Sequence, residues 1–261
     1  RQVYRGLDIG SGKITADEMR GIPHHLLDVF SPKKVYSVEH FKNDASKAVT
    51  VILKNKKIPI IAGGTGFYID ALISGEEFPA VPPNKKLRAQ LEKMSTETLV
   101  KKIKLLDARR ASKLDLQNRV RIIRAIEIAT ALGYVPRVKK NKRYVTLFIG
   151  LPLDPHILRE KIHTRLLKRN ESNAMEKEVA QLHKQGVSWK RLYSFGLEYR
   201  YVSLYLQKKM NKEEMLARLE QEIVHYAKRQ MQWFRRNKNI LWFAPGENKA
   251  IQEAVEKFLK N

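Results

Sequence analysis

The chain contains no cysteine, which removes disulfides, thiolate metal ligands and cysteine nucleophiles, and argues against a small secreted scaffold. A reducing cytoplasm suits it. No apolar run approaches the roughly 18 residues that a membrane span requires, and Arg1 to Gly10 lacks the apolar segment of a signal peptide. An initiator Met is also missing, and the first residues read like the middle of a motif, so a segment upstream of Arg1 is expected. Acidic residues are scarce: 27 Asp and Glu face 51 Lys and Arg, a formal charge of +24. That excess goes beyond what solubility needs and points to a polyanionic partner, with lysines merely facing water as the plainer account. What is present suffices for a fold. The 261 residues, 43% of them hydrophobic, can bury one α/β core and carry a smaller insertion. No internal repeat or low-complexity tract interrupts them.

Hydrophobic spacing sets the order of elements. Ser37 caps a helix running to about Lys54, and the apolar run Ile58–Ala62 after it reads as a buried strand. Gly63-Gly64-Thr65-Gly66 follows at once, then helical spacing over Phe67–Ile73 that ends at Gly75. Val145–Leu151 and Ile240–Phe243 read as further strands, far enough apart for crossover helices, and Leu26–Val29 as another. Between Val81-Pro82-Pro83 and about Tyr144 the texture is helical throughout: Asn84–Met94, Thr96–Leu106 and Asp107–Leu132. A second helical run covers Pro155–Gln185. The last long helix starts where Asn211 caps and Glu214 fits a capping box, with Met215, Leu216, Leu219, Ile223, Tyr226 and Ala227 as its apolar stripe. The expected architecture is an α/β core of residues 1–81 and 143–261, with a helical insertion of residues 82–142. Arg137–Arg143, with five basic residues in seven, is a return linker or an RNA-facing loop.

Several patterns bear on chemistry. The glycine turn sits where a strand ends and a helix begins, so its amides and the Thr65 hydroxyl suit an anion or a nucleotide edge. A turn that needs glycine for conformation alone is the competing account. Ile9-Gly10-Ser11-Gly12-Lys13 resembles a phosphate loop but is rejected, because Leu7 and Ile14 stand where a Walker loop needs Gly and Ser or Thr. Asn118, Arg121 and Arg124 recur at helical spacing, suited to phosphates or to a solvated face paired with Glu127. Tyr226, Lys228, Arg229, Gln230 and Trp233 mix cations, an amide and aromatic planes as RNA-binding surfaces do, though the aromatics equally suit a core. His24-His25 lacks a spaced carboxylate co-ligand, and no residue is singled out as a metal ligand.

Separated segments together resemble the tRNA dimethylallyltransferase family. Arg1-Gln2-Val3-Tyr4 to Gly10 is similar to its Asp-Ser-x-Gln-x-Tyr segment and the Gly-x-Asp-Ile-Gly run that follows. Gly21-Ile22-Pro23-His24-His25-Leu26 resembles its Pro-His-His-Leu segment, Gly63 to Tyr68 its Gly-Gly-Thr-Gly-Leu-Tyr turn, and Ala227 to Phe234 its Ala-x-Arg-Gln-x-x-Trp helix. The resemblance implies a P-loop-NTPase-like parallel sheet core with a helical insertion domain. It also implies prenyl transfer from dimethylallyl diphosphate to the exocyclic amine of the adenosine 3′-adjacent to the anticodon, assisted by Mg2+. Thr65 and Arg200 would then serve the reaction. Arg1, Gln2, Thr65, Arg121, Arg124, Lys228, Arg229, Gln230 and Trp233 would contact the tRNA anticodon stem-loop, with the chain a cytoplasmic monomer that needs no membrane.

Departures from the family pattern limit the match. The family's phosphate-binding loop and the Asp-Ser ahead of Arg1 do not occur in the sequence, so the chain alone is expected to be inactive in prenyl transfer. Asp115-Leu116-Gln117 replaces a His-Pro-Asn segment, the register slips over Leu166–Ala174, and Glu198 replaces a glycine before Tyr199-Arg200. Two other readings remain open here: a P-loop-class small-molecule kinase, which would bind ATP, and a non-catalytic RNA-binding protein, which would bind RNA steeply with salt and transfer nothing.

Overall fold

The computed structural model describes residues 1–138, 141 and 144–260, so most of the basic stretch at 139–143 lies outside the described residues. Backbone contacts divide the chain into two compact units, Arg1–Ile73 with Tyr144–Asn261 and Ser74–Arg143. The division falls a few residues before the sequence boundary at 81/82. Val81 is buried with the helical unit and its carbonyl accepts a bond from Arg124 Nη2 at 2.8 Å, which carries its neighbours there.

In the first unit, short helix α1 (Ala16–Met19) precedes α2 (Val38–Lys54), where Ser37 caps the start and the His40 side chain reciprocates. Helix α3 (Gly66–Ile73) opens directly on the glycine turn. The expected strand at Ile58–Ala62 is absent. Its residues are coil and open to solvent, Ile60 being 87% exposed, and no ladder partner lies beside them among the described residues. Leu26–Val29 is not a strand either, because Leu26 and Asp28 take positive φ, which extended backbone excludes. One isolated parallel bridge joins Tyr4 to Phe30 instead.

The second unit is helical: α4 (Lys85–Glu92), α5 (Thr96–Leu106), α6 (Ala108–Ala111) and α7 (Arg119–Leu132). The single helix read over Asp107–Leu132 is two, each with its own N-cap. Asp107 caps α6 through the Arg110 N–H, Asn118 caps α7 through the Arg121 N–H, and the chain turns between them. Leu91, Leu99, Ile103, Ile122 and Ile126 form its core. Inside lies Glu127, 2% exposed. It accepts the Asn84 N–H at 2.6 Å, Arg88 Nε and Nη2 at 2.9 and 2.7 Å, and Arg124 Nη1.

The first unit resumes with β1 (Phe148–Gly150), shorter than the expected Val145–Leu151 because Val145 is 90% exposed. Next come α8 (Pro155–Asn170), α9 (Ala174–Lys184), α10 (Trp189–Ser194), α11 (Leu197–Leu206) and α12 (Lys212–Phe234). Left-handed Ser172 and Asn173 break the run read over Pro155–Gln185 into α8 and α9. Strand β2 (Ile240–Trp242) pairs parallel with β1, Phe148 opposite Ile240, before α13 (Asn248–Leu259). The result is a helix-rich α/β core with a small parallel sheet. Its main hydrophobic cluster joins Tyr4, Leu7 and Tyr36 to Leu166, Met175, Leu182, Tyr199, Met215 and Leu219. Asn211 caps α12 through the Glu214 N–H, and the stripe Met215, Leu219, Ile223 is buried as its spacing predicts.

Burial alone would raise the Glu127 carboxyl, but its hydrogen bonds from Arg88, Arg124 and the Asn84 N–H outweigh that and hold it at about 2, below the ordinary 4.5. A depressed folded-state value means its stabilisation is complete above about pH 4.5 and is lost as pH falls toward 2. Amide exchange in α4 and α7 should accelerate across that window more in the parent chain than in Glu127→Gln. At neutral pH, Glu127→Gln should destabilise this unit by about 3 kcal/mol, since it strands two arginines.

Candidate functional site

The glycine turn is shaped by what packs on it. Gly63 has φ +155, and the backbone then folds tightly enough that the Gly66 N–H donates to Gly64 O at 3.1 Å before α3 begins. Side chains from the C-terminal half of α12 lie directly against it. A Cβ built on Gly64 would stand 1.9 Å from Gln230 Nε2, and one on Gly66 would stand 2.1 Å from Trp233 Cδ1. Glycine is therefore required for close approach as well as for conformation. The Trp233 indole donates to Asp70 Oδ2 on α3 at 2.9 Å, meets Phe67 edge-on at 6.2 Å, and carries the Arg236 guanidinium 4.3 Å above its ring.

These contacts sort the residues that the sequence singled out on α12. Trp233 and Gln230 face the turn and anchor the helix there. Lys228 and Arg229, on the following faces, are exposed. Thr65, in the middle of the turn, is exposed too. The structure thus packs Gln230 and Trp233 on the glycines either side of Thr65, with Lys228 and Arg229 outward on the same half of α12.

A second polar cluster holds the start of the chain. The Glu178 carboxylate accepts three successive backbone amides, from Asp8 at 2.9 Å, Ile9 at 2.6 Å and Gly10 at 3.1 Å, and the Tyr199 hydroxyl at 2.8 Å. Burial, then the neighbouring Glu178 carboxylate, pushes the Tyr199 phenol far up, so it remains a donor. Glu198, buried, pairs with Arg1 and stands 3.7 Å from Arg169. Gln2 donates to Gly12 O at 2.8 Å. Lys13 is turned inward, its side chain 6% exposed, donating to Tyr4 O and paired with Asp8 and Asp28. A lysine so engaged is unlike the free cation of a phosphate loop. Arg200 lies 4.7 Å over the Tyr193 ring, with Nε 3.4 Å from the Tyr193 carbonyl.

The residues expected on the helical unit divide. Asn118 is spent as a helix cap and Arg124 on Glu127 and the Val81 carbonyl; the Arg124–Glu127 pair is present, but its carboxylate is buried rather than on a solvated face. Arg121 is largely exposed, with Asp115 at 3.9 Å. Sequence reasoning passed over Glu178, although a signal existed: it falls among Met175, Val179 and Leu182, a carboxylate on the buried stripe of α9. His24 and His25 join no metal-binding set, and no three His, Asp or Glu side chains converge to hold an ion among the described residues.

Comparison with known proteins agrees with this frame. The family described as IPP transferase matches residues 2–237. The "tRNA dimethylallyltransferase 2" of Shewanella sediminis is 44% identical, covering 98% of this chain and 86% of the relative. That of Treponema denticola is 43% identical over 90% and 80%. Among solved structures, the full-length tRNA isopentenylpyrophosphate transferase of Bacillus halodurans superposes with TM-score 0.71 at 30% identity, covering 99% of this chain and 84% of that one. A eukaryotic dimethylallyltransferase acting on tRNA has TM-score 0.82 at 22% identity, a likeness of fold, covering 100% and 71%.

The packing of α12 on the turn makes a direct prediction. Gly66→Ala should cost about 1–3 kcal/mol in urea unfolding, because the new methyl displaces Trp233. In a Trp233→Ala background the same methyl should cost about 0.5 kcal/mol or less, the coupling expected of residues in contact.

Proposed function

The chain belongs to the IPP transferase family, and from that premise we infer that it transfers a dimethylallyl group to tRNA. The proposed acceptor is the exocyclic amine of the adenosine 3′-adjacent to the anticodon, and the proposed donor is dimethylallyl diphosphate. The amine nitrogen attacks the allylic carbon as the carbon–oxygen bond to diphosphate breaks. The diphosphate leaves with that electron pair, and a base takes the proton from nitrogen. The acceptor base must leave its stack to be reached.

One observation supports this reading. The C-terminal half of α12 docks on the glycine turn through Gln230 and Trp233, which pack on the glycines either side of the exposed Thr65, and leaves Lys228 and Arg229 exposed on the same half of the helix. An RNA strand held by those cations passes the turn. Thr65 and Gln230 then offer polar contacts to the flipped base, Trp233 fixes the distance between helix and turn, and Arg121 offers the helical unit's outward charge. Arg1 and Gln2 belong to the loop that Glu178 secures, with Arg200 held by Tyr193 on the same unit. Magnesium would shield the departing diphosphate; no three His, Cys, Asp or Glu side chains converge among the described residues, and no step here passes through it.

The test is transfer of label from dimethylallyl diphosphate to an anticodon stem-loop, by the chain as it stands and by the chain with a phosphate-loop segment fused ahead of Arg1. In the form that transfers, the Lys228→Gln, Arg229→Gln double substitution should raise KM for RNA about tenfold and flatten its salt dependence. Thr65→Val should lower kcat about tenfold with little change in RNA binding. RNA binding without transfer in either form would favour the non-catalytic reading.

A further inference from the structure

Within the helical unit, Arg109, Arg110, Lys113, Pro136, Arg137 and Val138 line a hollow of about 240 Å³. Four of the six are cations and none is an acid. A carboxylate beside the lining, Asp107, is occupied in building the walls. Its Oδ1 accepts the Arg110 N–H at 2.7 Å, and its Oδ2 accepts the Val135 N–H at 2.9 Å and stands 3.3 Å from Arg109 Nη2. Arg109 also donates to Val135 O at 2.6 Å, tying α6 to the segment after α7. Hydrogen bonds from the Val135 and Arg110 N–H groups hold the Asp107 carboxyl below its ordinary range, so this staple stays charged.

Arg110 is different from its neighbour. Its Nε is buried and has no hydrogen-bond partner, the only such side-chain atom among the described residues. Among the described residues Arg110, Lys113 and Arg137 form no ion pair. A buried guanidinium N–H left unpaired costs free energy that an incoming acceptor recovers. The acceptor that suits a planar arginine fork flanked by further cations is a phosphate. Size narrows the choice, since small-molecule sites usually run to about 300–1,000 Å³; the hollow suits a single phosphodiester unit, with Pro136 and Val138 against its sugar.

We propose that this hollow binds one backbone phosphate of the RNA substrate, with Arg110 as the principal ligand and Lys113 and Arg137 beside it. The proposal rests on the RNA substrate inferred above. It places a phosphate contact on α6 and the segment after α7, apart from Arg121 at the start of α7.

The experiment measures binding of an anticodon stem-loop by the full chain across a salt series. Arg110→Gln should weaken binding about five- to tenfold and reduce the slope of log K against log salt by about 0.7–0.9, the share of one phosphate. Its thermal midpoint should hold or rise, because the lost group had no partner. Lys113→Gln should do the same to a smaller degree, which keeps the test open if Arg110→Gln folds poorly. Lys104→Gln, the same charge change on an exposed face of α5, should have little effect; an equal loss there overturns the pocket in favour of diffuse attraction. Wild-type binding that Arg110→Gln leaves unchanged overturns the pocket and spares the tRNA reading. No wild-type binding overturns both. Stabilisation by inorganic phosphate at matched ionic strength, absent in Arg110→Gln and with RNA binding unaltered, would make the hollow a small-anion site and also overturn the proposal.

Discussion

The close approach of α12 to the glycine turn is the constraint on which the candidate site depends. Gln230 and Trp233 occupy the volume where residues 64 and 66 would otherwise carry a Cβ, and Asp70 receives the indole N–H that would be left unpaired at such a half-buried contact. A helix can reach a turn at this distance only where backbone meets side chain. Once it does, the side chains on its neighbouring faces are placed without further help. Lys228 and Arg229 are positioned by the rigidity of α12, which its buried stripe secures at Met215, Leu219 and Ile223 some turns away. The outward charge of this half of α12 thus follows from the packing of its other face.

The same economy governs the acidic residues. A chain of +24 has few carboxylates, and several that are buried or half-buried hold backbone and arginine in place. Glu178 gathers three consecutive amides of the 8–10 loop, Glu198 sits with Arg1 and Arg169, Glu127 with Arg88 and Arg124, and Asp107 joins α6 to Val135. Each is costly to bury alone and is compensated by the bonds that fix its surroundings. Drawing acids inward leaves the outer surface more positive than the composition alone implies.

Helices were legible in the sequence wherever a cap and an apolar stripe coincided, as at Ser37, Asn84, Ser95 and Asn211. Strands were legible only where a neighbour exists. Ile240–Trp242 and Phe148–Gly150 pair with each other, whereas the equally apolar Ile58–Ala62 has no ladder beside it and stays coil. A strand is a property of two segments, and spacing along one cannot supply the second. The continuous helix read over Asp107–Leu132 failed for a local reason: Asp107 and Asn118 cap more strongly than the intervening residues propagate. For the site, the motif residues on the turn and on α12 were visible, but their division of labour was not. Whether Trp233 offers its face to a base or its N–H to Asp70 depends on a residue 163 positions away.

That limit matters most for the arginines of the helical unit, where residues 74–143 carry 18 Lys and Arg against 7 Asp and Glu. Charge counting treats these cations as equivalent. Arg88 and Arg124 are consumed by Glu127, Arg119 by Thr96 Oγ1 and the Met94 carbonyl, and Arg109 by Val135. These four are parts of the frame, and their conversion to lysine would cost the fork geometry that makes several bonds at once. Arg110 is held by its backbone, its N–H on Asp107 and its carbonyl on the Lys113 N–H, with its side-chain Nε enclosed and unanswered. Two adjacent arginines in one short helix therefore have opposite standing. One is satisfied by the protein, and the other is satisfied only by something that comes to it, so the binding capacity of a basic surface is set by which of its cations the fold leaves unpaired.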